Sequence, residues 1–274
     1  MERQDGNLSS YILGHSPTEM ARLERQGHLF ADLTETVLRR AGVARGMEVL
    51  DVGCGVGDVS LIAARLVGDA GMVTGVDQSE HALGLATRRA AAAGHDRIRF
   101  ETGDITRLDN ATKFDAIVGR FVLLHVPDAA AVLRRLRALL RPNGVIAFLE
   151  MDIERAEAVP EMPLLTQCIS WIAQTYRKDG IEPNMGSKLY AAFRHADLTP
   201  TMMGTCRIER PPAREIFEFA AETLRSLLPR TLALGVATAE AVEIDSLGER
   251  LSSSAVTGDH CIFLPRLVGA WCRI

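Results

Sequence analysis

Three glycines follow an apolar run in residues 49–60, "VLDVGCGVGDVS". Gly53, Gly55 and Gly57 are spaced G-x-G-x-G, with Asp51 ahead of them and Asp58 directly behind. Glycine lacks a Cβ, so such a loop brings backbone close to a small ligand. The acids narrow the choice of ligand. A dinucleotide fingerprint requires G-x-G-x-x-G after a strand, and here Asp58 holds the place of the third glycine. An acid at a helix N-terminus repels the pyrophosphate that the helix end would otherwise attract. No lysine follows the glycines, which excludes a P-loop. The loop reads as a cradle for a ligand without phosphates.

Two further acids share the placement of Asp51. Asp77 ends the run "VTGVDQS", and Asp104 follows the next strand in "ETGDITRLD". A carboxylate offers two oxygens, which suits the paired hydroxyls of a ribose at Asp77. Asp104 is placed to accept from an exocyclic amine, and Asp51 favours a cationic group. Acids at three successive strand ends all face the carboxyl edge of a sheet. Together they suit an adenosine that carries an amino group and no phosphate.

The elements that position these residues begin at Met47. Apolar strand candidates are 48–52, 72–76, 98–101, 116–124 and 145–150, with "RPNG" (141–144) as a turn before the fifth. Val59, Ile62, Ala63 and Leu66 form one helical stripe, and Val132, Leu133, Leu136, Leu139 and Leu140 another. An alanine-rich run at 80–93 supplies a third helix. Such alternation implies right-handed crossovers and a parallel sheet covered on both faces. Ahead of it, Ser16, Pro17 and Glu19 mark a helix start with a capping box. Gly27 is read as an interruption before a second helix that carries Phe30, Leu33 and Val37 and ends near Gly42. After Asp152 come helices in "PEMPLLTQCISWIAQTYRKDG" and "GSKLYAAFRHADLTP", a strand in "TMMGTCRIE", helices at 215–228 and 240–251, and a last strand within 261–272. There is no internal repeat or low-complexity linker.

Composition sets the class. The chain has 274 residues, 47% hydrophobic and 24% charged, with a formal net charge of −4. This is the balance of a soluble globular protein with no general pull toward nucleic acid or anionic lipid. Five scattered cysteines without a C-x-x-C pair fit reduced thiols and argue against a disulfide framework or a zinc site. The first twenty residues have no apolar core of the signal-peptide kind, and no stretch reaches the length of a membrane span. The expectation is a cytoplasmic protein with no bound metal, no membrane association and no nucleic-acid partner. Its oligomeric state is left open, a homodimer among the alternatives.

In order and at the right intervals, "VLDVGCGVGDVS", "VTGVDQS", "ETGDITRLD", "FDAIVGRFVLLHVPD" and "LLRPNGVIAFLEMD" resemble the class I S-adenosylmethionine-dependent methyltransferases. The resemblance is strong over residues 44–152 and holds in outline elsewhere. It implies an α/β fold: a doubly wound, seven-stranded, mostly parallel sheet whose last strand is antiparallel. Residues 1–43 would form an N-terminal helical lid and 44–152 the S-adenosylmethionine-binding core. Residues 153–274 would complete the same domain, with helical insertions on the substrate side. By the same resemblance Gly53, Cys54, Gly55 and Gly57 approach the methionyl moiety and Asp51 organises its amino group, directly or through the loop. Asp77 holds the ribose, and Asp104 and the Ile105 amide, next to Gly103, read adenine. Two positions depart from the commonest pattern. Gln78 replaces an apolar residue on the adenine face, and Asn143 stands where a second glycine is usual; Asn tolerates a left-handed backbone.

Other candidates lie around the same crevice. Arg120 meets either the cofactor carboxylate or a substrate acid, or it forms a structural ion pair. His125 is a candidate general base near neutral pH, the alternative being a local hydrogen-bonding role. Glu150 and Asp152, at the end of the fifth strand, compete as proton acceptors, and Glu150 is taken as the candidate. Tyr11 and Gln26 belong to the lid. Of Trp171, Tyr176, Tyr190, Phe217 and Phe219, one or two are expected to line a pocket and the rest to be core. The functional expectation is methyl transfer from S-adenosylmethionine to an O, N or C atom of a small molecule, as in specialised metabolism. The alternatives are a non-catalytic binding or regulatory protein, and a transferase of the same fold with other chemistry.

Overall fold

The computed structural model describes residues 17–108, 112–256 and 258–274. The described strands, in chain order, are β1 (Glu48–Val52), β2 (Met72–Asp77), β3 (Ile98–Thr102), β4 (Phe114–Arg120), β5 (Leu140–Asp152), β6 (Glu157–Val159), β7 (Thr201–Thr205), β8 (Ile208–Glu209), β9 (Cys261–Phe263) and β10 (Arg266–Arg273). Seven of them form one sheet in the order β3-β2-β1-β4-β5-β10-β7. Pairings among β3, β2, β1, β4 and β5 are parallel, and β10 runs antiparallel to both β5 and β7. The strand order reverses between β1 and its two neighbours, so the loop after β1 opens onto the crevice where ligands bind in such sheets. Ile117, Ile146, Phe148 and Leu149 are fully buried in the centre of the sheet. Both of its faces are covered, as near-continuous apolar strands require.

The described helices are α1 (Pro17–Ala41), α2 (Asp58–Val67), α3 (Glu80–Ala92), α4 (Ala129–Arg137), α5 (Pro163–Lys178), α6 (Met185–His195), α7 (Arg214–Ala233), α8 (Ala239–Val242) and α9 (Leu247–Val256). Ser79 and Asp128 cap α3 and α4 by accepting the amides of Ala82 (3.2 Å) and Ala131 (2.9 Å). The turn before the apolar part of β5 is present as a register shift against β4, with Asn143 at φ 65°.

Several expectations need correction. Gly27 does not interrupt the N-terminal helix; α1 runs unbroken from Pro17 to Ala41. A Cβ at Gly27 would fall 2.3 Å from the Asp58 carboxyl carbon, so the glycine marks where α1 presses onto the start of α2. Ser16 of the expected capping box lies outside the described residues, and the Glu19 carboxylate is engaged by Arg22 and Ser226. The fourth strand stops at Arg120. Phe121 turns to φ 59° and Leu123–His125 form a single 3-10 turn. The segment "TMMGTCRIE" splits, with β7 joining the large sheet and β8 a second sheet of order β6-β9-β8. The helix expected at 240–251 breaks at Glu243, which adopts φ 45°.

Candidate functional site

The loop between β1 and α2 carries the first part of the site. Gly53 and Gly55 adopt φ of 64° and 52°, which side chains rarely tolerate. A Cβ at Gly53 would strike Val122 at 2.6 Å, whereas one at Gly55 would meet nothing within 4 Å. Gly55 therefore presents bare backbone to an open space. Gly57, at φ 85°, packs back against α3 instead. Asp77 ties this loop to the next. Its Oδ2 accepts the Gly55 amide and its Oδ1 the Ser79 amide, each at 2.9 Å. Each oxygen keeps a second lone pair for a ligand hydroxyl.

These groups border a cavity of about 640 Å³, within the range of small-ligand sites, roughly 300–1,000 Å³. Gly53, Cys54, Gly55, Asp77, Gln78, Gly103 and Ile105 line it, as do Gln26, Arg120 and His125. The wall also includes residues that the sequence reading passed over: Met20, Arg22 and Leu23 of α1, Asp58, Ser79, Thr106, the segment after β4, Met151 and Ile181. Arg22 sits one turn before Gln26, so the (i, i+4) spacing on α1 was the available signal. Tyr11 lies outside the described residues. Of the five aromatics considered, Tyr176 lines the cavity, Trp171, Phe217 and Phe219 are buried, and Tyr190 is 55% exposed.

Four candidates sit behind the wall rather than on it. Asp51 is buried beneath the loop, where Ser60 Oγ donates to its Oδ2 at 2.6 Å and its Oδ1 has no partner among the described residues. Burial pushes its carboxyl up to about 7, with Ser60 and Arg120 opposing. Asp104 closes an Asx turn, accepting the Thr106 amide at 2.8 Å and its hydroxyl at 2.7 Å. Its neighbours Gly103, Ile105 and Thr106 are what reach the cavity. Glu150 does not face the crevice. Its Oε1 accepts the Val122 and Leu123 amides at 2.9 and 2.7 Å, and Oε2 is buried with no partner among the described residues. Burial pushes this carboxyl up to about 8, against those backbone donors. Asp152 is likewise inside, accepting the Ser187 amide at 2.7 Å and the Ser187 hydroxyl at 2.8 Å, and pairing with Arg266. From Gly144 to Glu150, β5 is buried on both faces, so neither alternate set of side chains there reaches solvent or cavity; Met151 is the first that does.

The charged groups on the wall are paired. Arg120 approaches Asp58 at 3.6 Å and donates to Thr34 Oγ1 at 2.9 Å. Asp58 also holds Arg89 at 2.7 Å, so the acid in the third glycine position organises two guanidinium groups. His125 is half-buried, and its desolvation, reinforced by Arg22, pushes it down to about 4. Its ring is therefore neutral at physiological pH. Arg25 of α1 reaches α7, donating to Glu222 at 3.0 Å and approaching Glu218 at 3.2 Å, which holds α1 across the cavity.

A methyltransferase-domain family model matches residues 44–191, more than half of the chain. The chain belongs to this methyltransferase family. A demethylmenaquinone methyltransferase of Staphylococcus aureus is 33% identical over 134 residues, covering 48% of this chain and 52% of that protein. The chain thus spans about half the length of the curated relatives it matches. Among solved structures, the YcgJ protein of Bacillus subtilis superposes with a TM-score of 0.57 at 18% identity, covering 89% of this chain and 99% of that one. A SAM-dependent methyltransferase from Aquifex aeolicus gives 0.52 at 18% identity, with 71% and 92% covered. These likenesses show the fold: the Rossmann-like sheet of class I S-adenosylmethionine-dependent methyltransferases, with β10 reversed.

Proposed function

We propose that this methyltransferase-family protein transfers the methyl group of S-adenosylmethionine to an O, N or C atom of a small molecule. The observation that carries the reading is Asp77, whose two oxygens gather the Gly55 and Ser79 amides at the cavity edge and keep lone pairs for a diol. The bare face of Gly55 leaves the space that a methionyl chain would fill. The residues therefore fit the cofactor. Gly53–Gly55 would hold its aminoacyl end, Asp77 its ribose, and Gly103, Ile105 and Thr106 its base. Bound there, the cofactor supplies an activated methyl electrophile.

The chain's own part is to orient an acceptor and exclude water. The segment after β4 forms one wall, and Glu150 holds it from behind through two backbone amides. α1, as the lid within residues 1–43, and α5 close the other side, and such placement supplies several kcal/mol of the barrier. His125 presents an imidazole that is unprotonated at neutral pH and, as a weak base, is suited to hydrogen-bonding the acceptor rather than to taking a full proton from it. Residues 44–152 act as the cofactor-binding core and 153–274 complete the same domain. A cavity of about 640 Å³ suits a small molecule, and the name of the Staphylococcus relative, built on demethylmenaquinone, supports that class. No described helix is long and apolar enough to cross a membrane; a cytoplasmic location is part of the proposal.

Calorimetric titration with S-adenosylhomocysteine tests the reading. The wild-type chain binds it, and Asp77→Ala weakens binding by roughly 10- to 100-fold, the value of charge-assisted hydrogen bonds at about 1.5–3 kcal/mol. Equal affinity in the two proteins would remove Asp77 from the site.

A further inference from the structure

Away from Asp77, the cavity wall is built from about two turns of α1 (Met20 to Gln26), the segment after β4, Met151 and the α5 side. Arg22 brings a guanidinium to this wall, yet its side chain is only 2% exposed and its charge is cancelled in place. Its Nε donates to Glu19 Oε2 at 2.8 Å and its Nη2 to Oε1 at 2.7 Å, with Glu19 fully buried. Gln26 Oε1 accepts from Nη1 at 2.9 Å, and Ser226 Oγ donates to Glu19 Oε2 at 2.9 Å. The other ionisable groups on this wall are neutral. His125 is pushed down to about 4 and Tyr176 up to about 12, in both cases chiefly by burial. Arg120, farther along, faces Asp58. The rest of the acceptor side is apolar, with Phe121, Leu124, Met151 and Ile181.

Among the described residues, a charged acceptor would surrender its hydration here without gaining an uncommitted counter-ion on the acceptor side. A carboxylate finds Arg22 already paired with Glu19, and an ammonium finds the buried Glu19 carboxylate already paired with Arg22. Burying an unpaired charge is among the most costly events in a protein interior. A hydroxyl or carbonyl group, by contrast, meets a phenol donor at Tyr176 and a neutral imidazole at His125, each able to hydrogen-bond it.

We infer that the methyl acceptor is an uncharged molecule with an apolar body and a hydroxyl or carbonyl oxygen directed at Tyr176 and His125, and that Glu19 sets this preference by neutralising Arg22. The inference rests on reading the cavity as the S-adenosylmethionine site. It gives Glu19, which engages Arg22 and Ser226, a role in specificity.

Three size-matched probes test it: 1-naphthol, 1-naphthoate and 1-naphthylmethylammonium, each titrated at neutral pH into protein saturated with S-adenosylhomocysteine. The wild-type complex binds naphthol more tightly than either ion by about tenfold or more. Glu19→Gln leaves the Arg22 charge unanswered and moves the naphthoate-to-naphthol ratio toward naphthoate by about tenfold. The double variant Glu19→Gln/Arg22→Gln removes both charges and restores the preference for naphthol, a check that holds even where the single variant folds poorly. A wild-type preference for either ion, binding of none of the three probes, or a ratio unmoved by Glu19→Gln in a protein that still binds S-adenosylhomocysteine would overturn the acceptor assignment alone. Failure of the wild-type chain to bind S-adenosylhomocysteine would overturn the site reading beneath it.

Discussion

Replacing Gly27 with alanine ordinarily strengthens a helix, because glycine in a helix interior costs roughly 0.5–1 kcal/mol relative to alanine. At this position the sign reverses. The new Cβ would sit 2.3 Å from the Asp58 carboxyl carbon and 2.4 Å from each of its oxygens. Carbon–carbon contact is comfortable only near 3.5–4.0 Å, so Asp58 must retreat by about 1 Å or α1 must lift. Asp58 is not free to yield, since it holds Arg89 at 2.7 Å and faces Arg120 at 3.6 Å. Overpacking costs of about 1–3 kcal/mol outweigh the propensity gain. The expected net effect of Gly27→Ala is destabilisation by about 1–2 kcal/mol in urea unfolding, with weaker S-adenosylhomocysteine binding because Gln26, Asp58 and Arg120 share the cavity wall. Gly84 is the control. It lies inside α3, where an added Cβ meets only the tip of Arg88 at 3.8 Å, and Gly84→Ala should stabilise by about 0.5–1 kcal/mol. If Gly27→Ala stabilised the protein as Gly84→Ala does, the close seating of α1 on Asp58 would be refuted.

Three other expectations follow from buried groups. Glu150 is raised in the fold from an ordinary 4.5 to about 8, so its stabilising contribution is complete below pH 4.5 and is lost as pH rises through 8. Glu150→Gln should roughly halve the fall of the urea midpoint between pH 4.5 and 7, where Asp51 contributes a similar slope, and remove it between 7 and 8, a total on the order of 3–5 kcal/mol; an unchanged slope would contradict the assignment. Asp104→Ala should weaken S-adenosylhomocysteine binding by only about fivefold, less than Asp77→Ala, because Asp104 acts through the Thr106 turn; calorimetry of the two side by side decides. Burial raises both the Cys54 and Cys206 thiols, but Cys54 is buried and Cys206 exposed, so alkylation followed by mass spectrometry should mark Cys206 and leave Cys54 unmodified in the folded chain.

Local pattern carried much of the architecture. β1 lies at 48–52 as its apolar run indicates, and Asp77 and the glycine loop stand together at the cavity because strand ends and turns are short-range features. The side-chain directions were less legible. Asp51 and Glu150 look in sequence like acids at strand ends, but two-sided burial of the sheet puts both behind the wall, a consequence of helices distant in the chain. Gly27 looks like a helix break because its reason for being glycine, the Asp58 carboxyl, comes from another element. Arg22 and Tyr176 reach the same cavity from α1 and α5, 154 positions apart, and no local spacing signals that. The second sheet depends on pairing between β6 and β9, again a long-range contact.

The most direct test of the central claim is a crystal structure of the chain with S-adenosylhomocysteine. The ribose hydroxyls should lie on Asp77, the aminoacyl chain over Gly53–Gly55, and the sulfur facing the space bounded by His125 and Tyr176. Density for the ligand in any other place, or with its ribose away from Asp77, would contradict that claim.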